Sequence, residues 1–383
     1  MKPVEMERCC GCSACAYVCP KGAIGMVPDK QGFLYPRLSE DRCIHCDCCK
    51  KVCPMNVEQD NTRQRNDLLV AFAVRHRMAG EVETSRSGAA FVAVSDRVLQ
   101  NGGSVYGAAF GSHFKVEHRR ATNQDLRNAF KGSKYAQSDM RAIYRLVLDD
   151  LRHGIPVLFS GTPCQTAAIR NVVPTKHRDR LLLVDIICHG VASPMVWDDY
   201  LRTLEKIEKK KLVAVDFRDK GVFGWSGLHR ESFTYDDGSK MTYSRTFYQS
   251  FLIRRSCNHC PYASCTRPSD LTLGDFWGWE SVVPEMNRDD KGLSLVLCHS
   301  KKGLQILTEA QASADVVPVN VDVCMQPNLQ HPTPVDPMRD RFEEEYGRED
   351  FEQIYRKYFR ASGLPWLKWC LKSCTVRIKH RIG

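Results

Sequence analysis

Two runs of cysteine constrain this 383-residue chain more than any other feature. Cys9, Cys12, Cys15 and Cys19 have the spacing C-x2-C-x2-C-x3-C with Pro20 behind them, and Cys43, Cys46, Cys49 and Cys53 repeat it ahead of Pro54. Three closely spaced thiolates wrap one cuboidal iron–sulfur cluster in a tight loop. The fourth follows a short helical turn and points to a second cluster. The spacing therefore predicts crossed ligand sets, with Cys9, Cys12, Cys15 and Cys53 on one 4Fe-4S cluster and Cys43, Cys46, Cys49 and Cys19 on the other. Zinc is the competing reading, but it takes four ligands from well-separated pairs and leaves the doubled eight-cysteine pattern unexplained. Cys10 and Cys48 fall off the pattern and read as bystander thiols.

The rest of the composition supplies context. The chain holds 19 cysteines, yet it is long for a disulfide scaffold and shows no apolar stretch after Met1-Lys2-Pro3-Val4-Glu5. The expectation is a reducing cytoplasm in which thiolates hold metal. No run of about 18 or more apolar residues suggests a membrane span. Lys plus Arg is 55 against 45 for Asp plus Glu. No nucleic-acid motif accompanies this basic excess, so no nucleic-acid partner is expected. A basic surface instead suits an acidic redox carrier such as ferredoxin or flavodoxin. Residues 57 to 67 (VEQDNTRQRND) are polar and aperiodic and read as a linker.

Beyond the linker, strands and helices alternate. Leu68–Arg75, Ser104–Phe110, Ile155–Ser160, Leu181–Ile187, Asp270–Asp275 and Gly292–Cys298 have strand character. Ser138 reads as the cap of a helix carrying Met140, Ile143, Val147 and Leu151 on one face, with Gly154 stopping it. Asp236-Asp237-Gly238 reads as a hairpin turn. Thr162 is a good N-cap and Pro163 a good first helical residue, which puts Cys164 in a first helical turn just after a strand. Cys188-His189-Gly190 ends the next strand, and Ser193-Pro194 starts another helix. Cys164 and Cys188 thus sit where open α/β sheets build their sites. Cys257-x-x-Cys260 follows, then Cys265. Taken singly, these are buried structural thiols, a zinc half-site or a redox dithiol; taken together, they offer one all-cysteine metal site.

Several segments, in order, resemble the coenzyme F420 hydrogenase/dehydrogenase beta-subunit family. They are Ser85-Arg86-Ser87-Gly88-Ala89-Ala90, Gly102-Gly103-Ser104-Val105-Tyr106-Gly107, Gly132-Ser133-Lys134-Tyr135, Gly161-Thr162-Pro163-Cys164-Gln165, Cys188-His189-Gly190-Val191 and Asp270 through Gly278 (DLTLGDFWG). The resemblance covers roughly residues 70 to 330, and the fused 2(4Fe-4S) head resembles a version found in deazaflavin dehydrogenases and many bacterial proteins. It implies FAD and a third 4Fe-4S cluster on Cys164, Cys188, Cys257 and Cys260, with Cys265 as reserve ligand. It also implies a flavin near Ser87, Gly88, Gly132, Ser133, Lys134 and Tyr135. No G-x-G-x-x-G and no P-loop occurs.

The expected architecture is α+β. A dicluster ferredoxin domain (1–57) precedes a larger α/β domain with a mixed sheet, in parts 68–155 and 156–330, and a mostly helical basic tail (331–383). The expected function is an iron–sulfur flavoprotein oxidoreductase. It would move electrons between a one-electron carrier and a small-molecule hydride donor or acceptor, coenzyme F420-like or other. The alternative is a non-catalytic electron-transfer subunit of a larger complex. No general acid or base is named; His189 reads more readily as structural than as a proton donor. Residues 339 to 360 read as an exposed helix. Trp366, Lys368, Trp369, Lys372, Arg377, Lys379 and Arg381 offer a peripheral contact with an anionic membrane.

Overall fold

The computed structural model describes residues 4–56, 68–227, 230–242 and 247–360. Its head is built on an antiparallel pair, β1 (Ile24–Pro28) and β2 (Leu34–Leu38). Each cysteine loop ends in one helical turn, Ala14–Tyr17 in the first repeat and Cys48–Lys51 in the second. The backbone repeats as closely as the sequence. Gly11 and Ser13 have φ of 66° and 67°, and His45 and Asp47, at the matching positions, have 52° and 57°. Left-handed residues placed this way turn successive backbone N–H groups inward and make a concavity suited to an anionic centre.

The large domain is one eight-stranded mixed sheet. Its strands are β3 (Val70–His76), β4 (Ser104–Phe110), β5 (Val116–Ala121), β6 (Val157–Gly161), β7 (Leu181–Ile186), β11 (Leu271–Asp275), β12 (Ser294–Cys298) and β13 (Ala314–Val319). Their order is β13-β3-β12-β11-β7-β6-β4-β5. Strands β4, β6, β7 and β11 run parallel, and antiparallel strands extend both edges. The sheet joins residues on both sides of position 155, because β4 pairs with β6. A small antiparallel sheet, β8 (Leu212–Asp216), β9 (Ser232–Tyr235) and β10 (Lys240–Met241), packs beside it, with Asp236-Asp237-Gly238 turning β9 into β10.

Parallel strands buried on both faces need continuous apolar runs. Leu181, Leu182, Leu183 and Val184 supply one, all at most 6 % exposed. The helix Pro163–Val172 begins at Thr162, whose N–H donates to Gln165 Oε1 (3.0 Å) in a capping box. The helix Pro194–Glu208 is capped by Ser193 Oγ, which accepts from Val196 N (3.0 Å). Cys164 and the segment holding Cys188 therefore leave the sheet at the C-terminal ends of the neighbouring strands β6 and β7.

Two expectations are corrected. The helix Ile143–Arg152 starts at Ala142, not at Ser138, whose Oγ instead accepts from Gln165 Nε2 (2.8 Å). Segment 339–360 is not an exposed helix. It breaks into Arg339–Tyr346, Phe351–Ile354 and a π-turn at Tyr355–Phe359. Phe342, Ile354, Tyr358 and Phe359 are buried against Tyr200, Phe247 and Phe251. The charges had masked an aromatic face at near-helical spacing. The basic stretch from Trp366 onward lies outside the described residues. Among the described residues no helix is long and apolar enough to cross a membrane.

Candidate functional site

The eight head cysteines gather into two groups. Cys9, Cys12, Cys15 and Cys53 line one small cavity, and Cys19, Cys43, Cys46 and Cys49 line another. Backbone amides aim at the sulfurs: Gly11 N–H donates to Cys9 Sγ (3.4 Å) and Ala23 N–H to Cys19 Sγ (3.2 Å). Such bonds to cluster sulfurs stabilise their negative charge. Burial pushes the Cys53 thiol up to about 12 and raises Cys15, where the charge of Cys12 adds to the effect. Thiols held protonated in this way release their protons when a metal centre binds, so binding contributes directly to folding.

The first group faces the large domain. Tyr144 Oη donates to Cys12 O (2.7 Å), Tyr262 Oη to Pro54 O (2.5 Å), and Gln137 Nε2 to Cys10 O (2.8 Å). Ser193 Oγ donates to Gln31 O (2.5 Å). Cys10, Cys12, Met55, Tyr144 and Tyr262 pack in one apolar core with Cys53, Cys164 and Cys260. The second group points away, with Cys46 and Ile44 exposed.

Four thiols of the large domain approach one another just past this core. Cys188 is raised well above its usual range by burial and by the charges of Cys257, Cys164 and Cys260. Burial and the Cys164 charge push Cys257 up to about 11 and Cys260 up to about 12. Cys164 is held down to about 7, first by a hydrogen bond from Cys10 and then by the Thr162 hydroxyl, 3.2 Å from its sulfur. No three His, Cys, Asp or Glu side chains among the described residues converge tightly enough to hold a single ion. An all-thiolate donor set is of the kind that suits an iron–sulfur cluster. Cys265 Sγ lies elsewhere, 3.6 Å from Met325 Sδ.

Cys188 also lines a cavity of about 520 Å³ over the C-terminal ends of the parallel strands, a size and place typical of ligand sites. Ser87, Gly132, Ser133, Lys134 and Tyr135 line it too. Gly88 does not: a Cβ there would meet Val74 O at 2.4 Å and Ser294 N at 2.7 Å, so the glycine serves strand packing. Lys134 lines the cavity with its Nζ donating to Ala129 O (2.9 Å) and Lys131 O (2.8 Å).

Sequence reasoning missed the cavity's other polar groups. Arg86 donates to Arg218 O (2.8 Å), and its buried Nε has no hydrogen-bond partner; burial and the Arg218 charge push it down to about 10. Arg218 pairs with Asp275 (2.6 Å) and lies over Trp277. The His118 ring stacks on Phe159 and meets Ser160 O (3.0 Å); burial pushes it down to about 4, and its Nδ1 has no partner. Burial pushes Glu231 up to about 8. Exposed His189 also lines the wall. Arg86 and Asp275 sit inside quoted motifs and were legible there; His118 and Glu231 lie on strand-edge positions with no sequence signal. Arginines, a neutral imidazole and an aromatic wall suit a flavin with its phosphates.

Two segments of the chain match known families. Residues 156–321 match the family described as the C-terminal part of the coenzyme F420 hydrogenase/dehydrogenase beta subunit. Residues 8–57 match a 4Fe-4S dicluster domain. No curated protein matches the chain. Among solved structures it is similar to a chain of the F420-reducing NiFe hydrogenase complex from Methanosarcina barkeri, at 15 % identity and a TM-score of 0.41, covering 75 % of this chain and 91 % of that one.

Proposed function

We infer that this chain, whose residues 156–321 match the C-terminal part of the coenzyme F420 hydrogenase/dehydrogenase beta subunit and whose residues 8–57 match a 4Fe-4S dicluster domain, is an iron–sulfur protein that acts as a flavin-dependent oxidoreductase. Its partners on this reading are a one-electron carrier such as ferredoxin or flavodoxin, and a small two-electron substrate, in a reducing cytoplasm. Bound 4Fe-4S clusters carry single electrons, and bound FAD exchanges them for pairs.

The observation that supports the reading is contiguity. Cys12 and Cys53 of the head share one packed core with Cys164 and Cys260, and Cys188 of the same thiol group lines the cavity. The residues divide the work. Exposed Cys46 and its neighbours hold the end that meets a carrier. Cys9, Cys12, Cys15 and Cys53 hold the buried end of the head. Cys164, Cys188, Cys257 and Cys260 hold the third centre. Ser87, Gly132, Ser133 and Tyr135 frame the flavin. Arg86 and Arg218 bring positive charge to its phosphates. Glu231 Oε holds a proton near neutral pH and is the group best placed in charge state to supply one to a reduced substrate.

The test is anaerobic purification with iron and flavin analysis. About twelve irons per chain, four for each of three clusters, and one FAD are expected. About eight irons with no flavin released on heating would overturn the reading. A Glu231→Gln exchange should leave the flavin content intact and flatten the pH profile of turnover near 8.

A further inference from the structure

Among the described residues, one charged side chain at the junction of head and large domain has no carboxylate partner. Arg254 is 0 % exposed. Its Nε donates to Cys9 O (2.6 Å), Nη2 to Leu34 O (2.8 Å) and Nη1 to Gln137 Oε1 (3.1 Å). Its guanidinium lies 4.2 Å from the Tyr35 ring centroid and 5.3 Å from that of Phe33. These partners satisfy its hydrogen bonds but not its charge. A buried cation without an anion is unfavourable, so a countercharge is expected close by. The residue is tied to both thiol sets: its side chain donates to Cys9 O in the head, and its own carbonyl accepts from Cys257 N–H (2.9 Å) in the large domain. Cys10, 6 % exposed, fills the same junction with its thiol between those of Cys12 and Cys164.

We propose that Arg254 is the shared counter-cation of the buried head cluster and the third cluster, and that its charge sets how readily both accept an electron. The proposal rests on the three-cluster reading above. Each added electron makes a cluster more negative, and a fixed cation in a dry, low-dielectric junction favours that state. Both buried centres are thereby biased toward the reduced form relative to the exposed one, which draws electrons inward. The other head cluster's loop points away from the large domain, with Ile44 and Cys46 exposed, so that cluster is an internal control. Arg254 acts here through the clusters as a positioning residue for charge, not as a catalytic one.

The experiment is an anaerobic redox titration of the full chain followed by electron paramagnetic resonance, with iron counted for each variant. Arg254→Gln should shift the reduced-to-oxidised ratio of both buried clusters about tenfold toward oxidised at a given potential, which is 59 mV for a one-electron couple. The exposed cluster should not move. Arg254→Lys keeps the charge but not the fork, so it should recover most of the potential while recovering little thermal stability. Gln137→Glu sets a carboxylate beside the guanidinium and should shift the two potentials in the same direction as Arg254→Gln with the arginine in place. If Arg254→Gln loses iron, Gln137→Glu decides alone. Unmoved potentials with iron intact, or one equal shift in every cluster, would overturn the proposal. About eight irons in the unsubstituted chain would instead remove the three-cluster reading beneath it.

Discussion

The loop around Cys9–Cys15 and the loop around Cys43–Cys49 follow the same backbone course, with left-handed residues at matching places and a single helical turn after each. Their surroundings differ at almost every atom. The first loop is buried, and Arg254, Gln137 and Tyr144 hydrogen-bond to its carbonyls. The second is exposed at Ile44, His45 and Cys46. Spacing therefore decides that a loop can hold a cluster, while packing decides which cluster meets a carrier and which meets the large domain. The repeat even shows where the difference enters the sequence. Position 11 is glycine because a Cβ there would stand 2.6 Å from Arg254 Nη1 and 2.9 Å from Leu34 O. The matching position 45 faces solvent and keeps a histidine at φ 52°.

Exchanging one ligand in each loop should break the symmetry most strongly. Cys12→Ser should lose the buried cluster and loosen the head from the large domain, because that cluster's ligands are part of the shared core. The expected loss of stability is about 3 kcal/mol or more by thermal unfolding. Cys46→Ser should lose only the exposed cluster and leave that linkage intact. Equal effects from the two exchanges would contradict the comparison.

Gly11→Ala should cost roughly 2–3 kcal/mol, since strain at φ 66° adds to the collision with Arg254. His45→Gly should stay within about 1 kcal/mol of the parent, because relief of left-handed strain offsets the extra entropy of the unfolded chain. Chemical denaturation of the holo-protein measures both.

Chelator challenge under mild oxidation sharpens the same contrast in time. Iron should leave the Cys43–Cys49 loop first, giving a biphasic loss in which about four irons go early. A single phase would show that solvent access does not distinguish the loops. The smallest effect is expected for Tyr144→Phe, which removes one buried hydrogen bond to Cys12 O (2.7 Å) while keeping the ring stacked on Tyr17. About 1 kcal/mol of thermal stability should be lost.

Much of the fold was legible because its signals are local. Thr162-Pro163 announces a helix start, and the helix Pro163–Val172 begins there. The strand Ser104–Phe110 is apolar enough to be read to the residue. Ser138 misled because a good capping residue and a hydrogen-bond acceptor for a distant glutamine look alike in sequence. The segment 339–360 misled because its charges are frequent, while the aromatic face that buries it is read only against the helix Pro194–Glu208. Gly88 stands among the residues that the resemblance sets near a flavin, yet the atoms that crowd it belong to Val74 of β3 and Ser294 of β12.

The sequence by itself determined the three close thiols of each head set, since ligands a few residues apart are confined by the chain to one loop, and the doubled motif supplied the crossed fourth. It also determined the strand ends from which Cys164 and Cys188 emerge. Only the tertiary structure decided that these two meet Cys257 and Cys260, that the first head loop and not the second lies against them, and that a buried arginine stands between the two sets. Those relations join residues up to 245 positions apart. No local spacing encodes such distances; they follow from the order in which parallel strands stack and from the surface on which the head comes to rest.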